Sequence, residues 1–475
     1  MADDIVQRLD HIFRPKSAAF VGSTNNLRKW GGRVLSLALE SGFQGRIYPV
    51  NIREEQVQGL EAYPTLADIP GDVEMMVVAV PAAQVPSVFE QAAAKGVKGA
   101  VVISSGFAEV SAEGRALQER VVGIAREAGI RFVGPNCMGI YSSAGRLSLC
   151  FDSHLRSGPI SFISQSGTMG SYLGQLAMAK GYGLRSFINT GNMADVTFDE
   201  YLEYLVRDDE TKAIVLYIEG LREGRRFFEV AREVVKRKPI VVYKAGRTYA
   251  GSRAALSHTA SLTGDDEVFD AMCRQAGLIR AEESFHAFAM AEALSKQPLP
   301  KGNRVGIVAM GGGQCVTMAD ACAGLGLDLP ELDAETQALL LKELPPHAPP
   351  PRNPVDTLGG PGYLAPTEIV ETLAKLDCID IIITNATVVV TTKGMSAEAI
   401  KGLVDAAERV ATIPERYGKP LLTLSWRPGT TPTGLDIMDN HNVPAFDTPE
   451  EVARAAYGLA RYAEVRAKRL REDGA

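Results

Sequence analysis

The feature that most constrains this chain is a recurring cadence. Short, continuously apolar runs alternate with amphipathic stretches, and Gly, Ser or Thr stands at many of the junctions. Ala18–Val21, Ile47–Asn51, Met75–Val80, Ala100–Ser104 and Arg131–Val133 lack the polar alternation of strands with one wet face. Such runs are buried on both sides, which calls for a parallel sheet with helices over each face. Val85–Ala94 and Glu113–Ala128 supply helices between them. The cadence returns at Gly158–Gly167, Ile214–Ile218 and Ile240–Tyr243. It returns again at Val305–Met310, Ile379–Ile383 and Pro420–Leu424, before a charged C-terminal helix. Gln297–Gly302 reads as the linker ahead of this third series. The expectation is an α/β chain of three domains, 1–148, 149–298 and 299–475, near the usual size of about 150 residues each.

Charge and cysteine content close off several classes of function. Lys and Arg number 50 against 57 Asp and Glu, a net charge of -7. The cations are scattered apart from Lys236-Arg237-Lys238, so nothing favours nucleic acid or an anionic membrane surface. No run approaches the length of a membrane span, and the acidic start Met1–Ile5 has no apolar signal core. A cytoplasmic protein is expected. The six cysteines (Cys137, Cys150, Cys273, Cys315, Cys322, Cys378) form no C-x-x-C pair. They read as buried free thiols in a reducing compartment, and no metal site is expected.

Candidate chemistry gathers at strand ends. Ser164-Gln165-Ser166-Gly167-Thr168 follows a buried strand and opens a helix, where free N–H groups and the helix dipole favour an anion. Glu219 stands at the end of Ile214–Ile218. His258 lies in a loop of small hydroxyl residues beyond Ile240–Tyr243. All three positions fall at the carboxyl edge of one sheet, where open parallel sheets bind ligands. A neutral imidazole can accept a phosphoryl group, and a carboxylate on its other nitrogen would orient it. After the loop, Thr263 is the expected N-cap, with Asp266 closing a capping box. Val268, Phe269, Met272 and Ala276 form the expected apolar stripe, and Gly277 the stop.

Strand one runs into Gly22 and on to Gly31-Gly32, a Gly turn and helix start without G-x-G-x-x-G. Asn51 stands where a dinucleotide site would place an acid, which disfavours an NAD oxidoreductase. No phosphate loop of the G-x-x-x-x-G-K-[ST] type occurs, so a nucleotide that exchanges phosphate with His258 is expected on another chain. Gly311-Gly312-Gly313 repeats the placement of Ser164–Thr168, and series two and three are expected to be structural relatives. Pro345–Pro351 reads as a stiff surface loop.

In order and spacing, these segments resemble the alpha subunit of the ADP-forming (nucleoside-diphosphate-forming) acyl-CoA synthetases, relatives of the succinyl-CoA synthetase alpha subunit. The strings that carry the likeness are Phe20–Ser23, Tyr48–Asn51, Ser104–Glu109 and Gly134–Gly139 in the first series. Ser164–Gly167, Gly191–Asp195, Tyr217–Gly220, Lys244–Arg247 and Ser257–Thr259 follow, and then Asn353–Asp356.

The resemblance implies a Rossmann-like CoA-binding domain followed by two flavodoxin-like parallel-sheet domains. It implies an acid–thiol ligase that interconverts acyl-CoA, phosphate and ADP with carboxylic acid, CoA and ATP through acyl phosphate and phospho-His258. It gives Glu219 the histidine-orienting role and makes Ser164, Gln165, Ser166, Gly167 and Thr168 the phosphate cradle. Coenzyme A is placed along Gly22, Ser23, Asn51, Val80, Pro81, Ser105, Gly106, Phe107 and Asn136. ATP or ADP with Mg is assigned to a separate ATP-grasp beta subunit, and the remaining ligand is a small carboxylic acid or its acyl-CoA. Two positions depart from the family. Ala260 replaces the usual glycine after His-Thr, and Ala309-Met310-Gly311 replaces a Thr-Asn-Ala type turn. A CoA- or acyl-CoA-binding regulatory module without phosphotransfer is the alternative reading.

Overall fold

The computed structural model describes residues 2–151, 156–251, 253, 265–358, 367–385, 396–424 and 435–473. The first sheet contains β1 (Ser17–Val21), β2 (Arg46–Val50), β5 (Met75–Val78), β6 (Gly99–Val102) and β7 (Arg131–Val133), all parallel in the order β2-β1-β5-β6-β7. A small hairpin of β3 (Gln56–Val57) and β4 (Leu60–Glu61) lies outside it. The second sheet has β8 (Ile140–Ser142), β9 (Leu147–Ser148), β10 (Ser157–Ser164), β11 (Leu184–Asn189), β12 (Ala213–Ile218), β13 (Ile240–Lys244) and β14 (Ile279–Ala281). Its order is β14-β13-β12-β10-β11-β8-β9, with β8 and β9 added antiparallel at one edge. The third sheet is β15 (Val305–Ala309), β16 (Val355–Asp356), β17 (Ile381–Thr384), β18 (Leu421–Leu424) and β19 (Ala445–Phe446), parallel in the order β16-β15-β17-β18-β19.

The parallel strands of each sheet run 2-1-3-4-5 in order of appearance. That doubly wound order reverses direction between its first and third strands, and ligands bind at the carboxyl ends beside that reversal. The three switch points are β1/β5, β10/β12 and β15/β17.

Every residue of β1, β5, β6, β12 and β15 is buried, as the unbroken apolar runs require. Phe89 and Phe132 meet edge to face under the first sheet at 5.4 Å between ring centres. Burial of each such ring is worth about 2–3 kcal/mol. The helices begin and end on local chemistry. Ser111 Oγ accepts the Gly114 N–H ahead of Ala112–Ala128, and Gly129 closes that helix at φ +70°.

Two expected details change. The helix after the His258 loop spans Asp266–Ala276 and is capped by Asp265, whose carboxylate accepts the N–H groups of Glu267 and Val268. Thr263, the expected cap, lies outside the described residues. An anionic acceptor beside the helix N-terminus gains from the dipole, which a Thr hydroxyl does not. Val268 is 68% exposed, so the buried stripe is Phe269, Cys273 and Ala276 at helical spacing.

Contacts divide the chain into two units, Met1–Ser284 and Phe285–Ala475. The first holds the first two sheets, and the strands of the second sheet begin already at Ile140. The division precedes the Pro-rich segment at 297–302, because helix His286–Lys296 packs along Pro449–Asp473 in the second unit.

Candidate active site

At the carboxyl edge of the first sheet, the turn after β1 is tight. Gly22 has φ +85°, and a Cβ on Gly31 would sit 1.9 Å from the Gly22 carbonyl, so the following helix rests directly on the turn. Ser23 is buried. Asn51 donates to the Ser23 carbonyl (2.8 Å) and accepts the N–H groups of Arg53 and Glu54 (2.7 and 3.0 Å). Asn51 therefore organises the turns after β1 and β2. Beside it, Ser104 Oγ donates to the Val80 carbonyl at 2.6 Å and ties the turns after β5 and β6 together.

The second sheet presents its switch point to the same space. Ser164 is buried and donates to the Ser166 carbonyl (2.7 Å), while Ser166 Oγ caps helix Gly167–Ala179 through the Met169 N–H. Gln165 bridges the two switch-point strands. Its Oε1 accepts the Glu219 and Gly220 N–H groups, and its Nε2 donates to the Gly220 carbonyl. On the other side of Glu219, the buried Lys244 ammonium donates to the Glu219 and Ala245 carbonyls at 2.9 and 2.6 Å. Burial pulls the Lys244 pKa down. The main chain of Glu219 is thus held from both sides by side chains.

Two glycines let the sheets' loops touch. A Cβ on Gly167 would lie 2.5 Å from Met138 Cγ, and one on Gly191 would lie 2.3 Å from the Pro135 carbonyl. Asn189 Oδ1 accepts the Met138 N–H at 2.6 Å. The result is one cleft of about 950 Å³, lined from the first sheet by Val80, Pro81, Ser105 and Asn136, and from the second by Gln165, Ser166, Gly167, Thr168 and Glu219. These nine candidates from the sequence come together. Gly22, Ser23, Asn51, Ser164, Gly106 and Phe107 shape the turns behind the cleft without lining it, and Phe107 is a fully buried core residue. His258 and Ala260 lie outside the described residues.

Other wall residues lie outside the candidates from the sequence, among them Glu109, Cys137, Asn192 and Arg222. Burial pushes the Cys137 thiol up to about 12. Burial alone would raise Glu109, but hydrogen bonds from Asn192 and from the Gly106 and Phe107 backbones hold its carboxyl below the ordinary range. Burial and the nearby Arg115 lower the Arg222 pKa. Glu109, Cys137 and Asn192 sat inside the strings that carried the family likeness; Arg222 had no signal beyond adjacency to Glu219.

In the second unit, the turn after β15 takes its own form. The Met310 N–H goes to Asn385 Oδ1 (2.8 Å), the Gly311 N–H to Asp356 Oδ1 (3.1 Å), and Gly311 has φ +133°. The departure at Ala309-Met310-Gly311 is a glycine-dependent turn pinned by two neighbouring side chains.

A CoA binding domain model matches residues 16–143, and a model of the succinyl-CoA ligase like flavodoxin domain matches 157–294. Acetate–CoA ligase [ADP-forming] II subunit alpha of Pyrococcus furiosus is 38% identical over 460 residues, covering 96% of this chain and 98% of that one. The chain belongs to the ADP-forming acyl-CoA synthetase alpha-subunit family.

Acetate–CoA ligase [ADP-forming] I of Archaeoglobus fulgidus is 33% identical over 98% of this chain, which spans 65% of that longer relative. The structure of a Candidatus Korarchaeum cryptofilum acetyl-coenzyme A synthetase 1, in complex with phosphate and ADP, superimposes with a TM-score of 0.83 at 31% identity and 98% coverage of both chains. Membership of this ligase family favours the ligase reading over a regulatory module or an NAD oxidoreductase. Among the described residues, no helix is long and apolar enough to cross a membrane.

Proposed function

We propose that this chain binds coenzyme A and its acyl thioester across the cleft and moves phosphate through His258 to a nucleotide held by an ATP-grasp partner. The observation that carries the reading is the convergence of Val80, Pro81, Ser105 and Asn136 with the Ser166–Thr168 turn and Glu219 on one cleft. The N–H groups at the start of helix Gly167–Ala179 offer phosphate a positive field. Phosphate oxygen attacks the thioester carbonyl, the C–S bond breaks, and the thiolate leaves and takes up a proton. The His258 imidazole then attacks phosphorus, and the P–O bond to the acyl group breaks to release the carboxylate. ADP finally takes the phosphoryl group from nitrogen. Glu219, its main chain fixed by Gln165 and Lys244, orients the imidazole. Positioning and anion stabilisation supply most of what phosphoryl transfer needs.

The name of the Pyrococcus relative, a subunit alpha, supports a second component. An ATP-grasp chain with Mg is the partner this reading requires. The test is ATP formation from acyl-CoA, phosphate and ADP. It should require both this chain and the ATP-grasp chain, and should vanish in His258→Asn. Full activity in His258→Asn would overturn the route.

A further inference from the structure

We propose that Asn192 is a positioning residue. With Glu109 as its strut, it holds the CoA-side loops of the cleft in register with the phosphate turn. The proposal rests on the assignment of coenzyme A to this cleft. Asn192 follows β11, yet its contacts reach four other segments. Its Nδ2 donates to Glu109 Oε2 (2.5 Å) and to Gln118 Oε1 (3.0 Å), and its Oδ1 accepts from Asn136 Nδ2 (3.4 Å). Its backbone N–H donates to the Pro135 carbonyl (2.9 Å), and its carbonyl accepts from Arg222 (3.0 Å).

Glu109 extends the hub into the loop after β6. Its Oε1 accepts the Gly106 and Phe107 N–H groups at 2.7 and 3.1 Å. Those two N–H groups are therefore committed to Glu109, while Ser104, Ser105, Ala108 and Glu109 of this loop line the cleft. A carboxylate sharing three donors at a cleft wall defines the loop's shape as well as its position. Gly191, whose missing Cβ admits the Pro135 and Asn136 carbonyls, is what allows Asn192 to reach so many neighbours. The loops that Asn192 joins come from both sheets, so it fixes the distance between the CoA side and the phosphate side.

The Glu109–Asn192 pair has a direct test, because its donor and acceptor can be exchanged at constant net charge. In Asn192→Asp, two carboxylates face each other; in Glu109→Gln, two amide N–H₂ groups do. Combining Glu109→Gln with Asn192→Asp reverses the roles: the new amide at position 109 donates to the new carboxylate at position 192. The amide oxygen at position 109 still serves Gly106 and Phe107. The assay is the full reaction with the partner chain, run from acid, CoA and ATP for KM of CoA and from acyl-CoA, phosphate and ADP for KM of phosphate, with kcat and melting temperature measured on each variant. Each single change should raise KM for CoA about tenfold while leaving KM for phosphate within about threefold. The double variant should recover to within about threefold of the parent, a coupling of about 2–3 kcal/mol. Multiplying single effects in the double variant, or an unchanged KM for CoA in both singles, would overturn the role. A cleft-blocking Pro81→Arg change tests the underlying assignment separately. Loss of CoA binding by calorimetry supports that assignment, and undiminished binding overturns it together with the proposal.

Discussion

Replacing Gln165 with leucine keeps the side-chain volume and removes the side-chain hydrogen bonds by which position 165 fixes the Glu219 turn. Three contacts go: the Glu219 and Gly220 N–H groups lose their acceptor, and the Gly220 carbonyl loses its donor. At about 1 kcal/mol net for each intramolecular hydrogen bond, the sum is about 3 kcal/mol. If the turn stays in place, the loss appears in folding stability. If the turn relaxes to find water, stability is partly restored, but Glu219 leaves its position and phosphoryl transfer slows. A full loss of about 3 kcal/mol in the barrier corresponds to about 150-fold in rate. Urea unfolding and single-turnover phosphorylation of the same preparation together account for both routes. Stability within about 0.5 kcal/mol of the parent, the range of ordinary surface substitutions, combined with a rate within about threefold, would refute the bridging role of Gln165.

Two further outcomes follow from titratable groups. Glu371 accepts from Arg416, Arg409 and Tyr417, and those hydrogen bonds, led by Arg416, bring its pKa down to about 2. A carboxyl depressed in the folded state contributes stability above its unfolded pKa and loses it as pH falls from there towards 2. Glu371→Gln should therefore cost about 2 kcal/mol at pH 7, discounted for the solvent-facing arginines, and the gap to the parent should close by about pH 2–3; a pH-independent gap in chemical unfolding would contradict the pairing. Cys137 lines the cleft with its thiol raised to about 12 by burial. Iodoacetamide at pH 8 should label it about a thousandfold more slowly than an ordinary exposed thiol, and rapid labelling of Cys137 by peptide mapping would contradict its burial.

The strands were legible because a parallel sheet covered on both faces leaves an unmistakable apolar run. Arg131–Val133 and Ile214–Ile218 could be read within a residue or so of their observed ends. The turn at Ser164–Thr168 and the strand-end position of Glu219 were legible for a related reason: small residues after a buried run mark a carboxyl edge. The Asp265 cap was not, since Thr263 and Asp265 both satisfy the local rules and only backbone geometry chooses between them. Asn192 and Glu109 were illegible as a pair because 83 residues separate them in sequence. Their meaning arises only when two sheets bring their loops together. Glycines 167 and 191 show the same limit, since the neighbours that exclude a Cβ, Met138 and Pro135, come from another part of the chain.

The central claim is that phosphate passes through this chain on His258. Its most direct test is intact-protein mass spectrometry of the chain alone after incubation with acyl-CoA and phosphate, without nucleotide or partner. One acid-labile phosphoryl group, absent in His258→Asn, is the predicted result. An unphosphorylated chain that still binds coenzyme A, or a phosphoryl group that persists in His258→Asn, would contradict it.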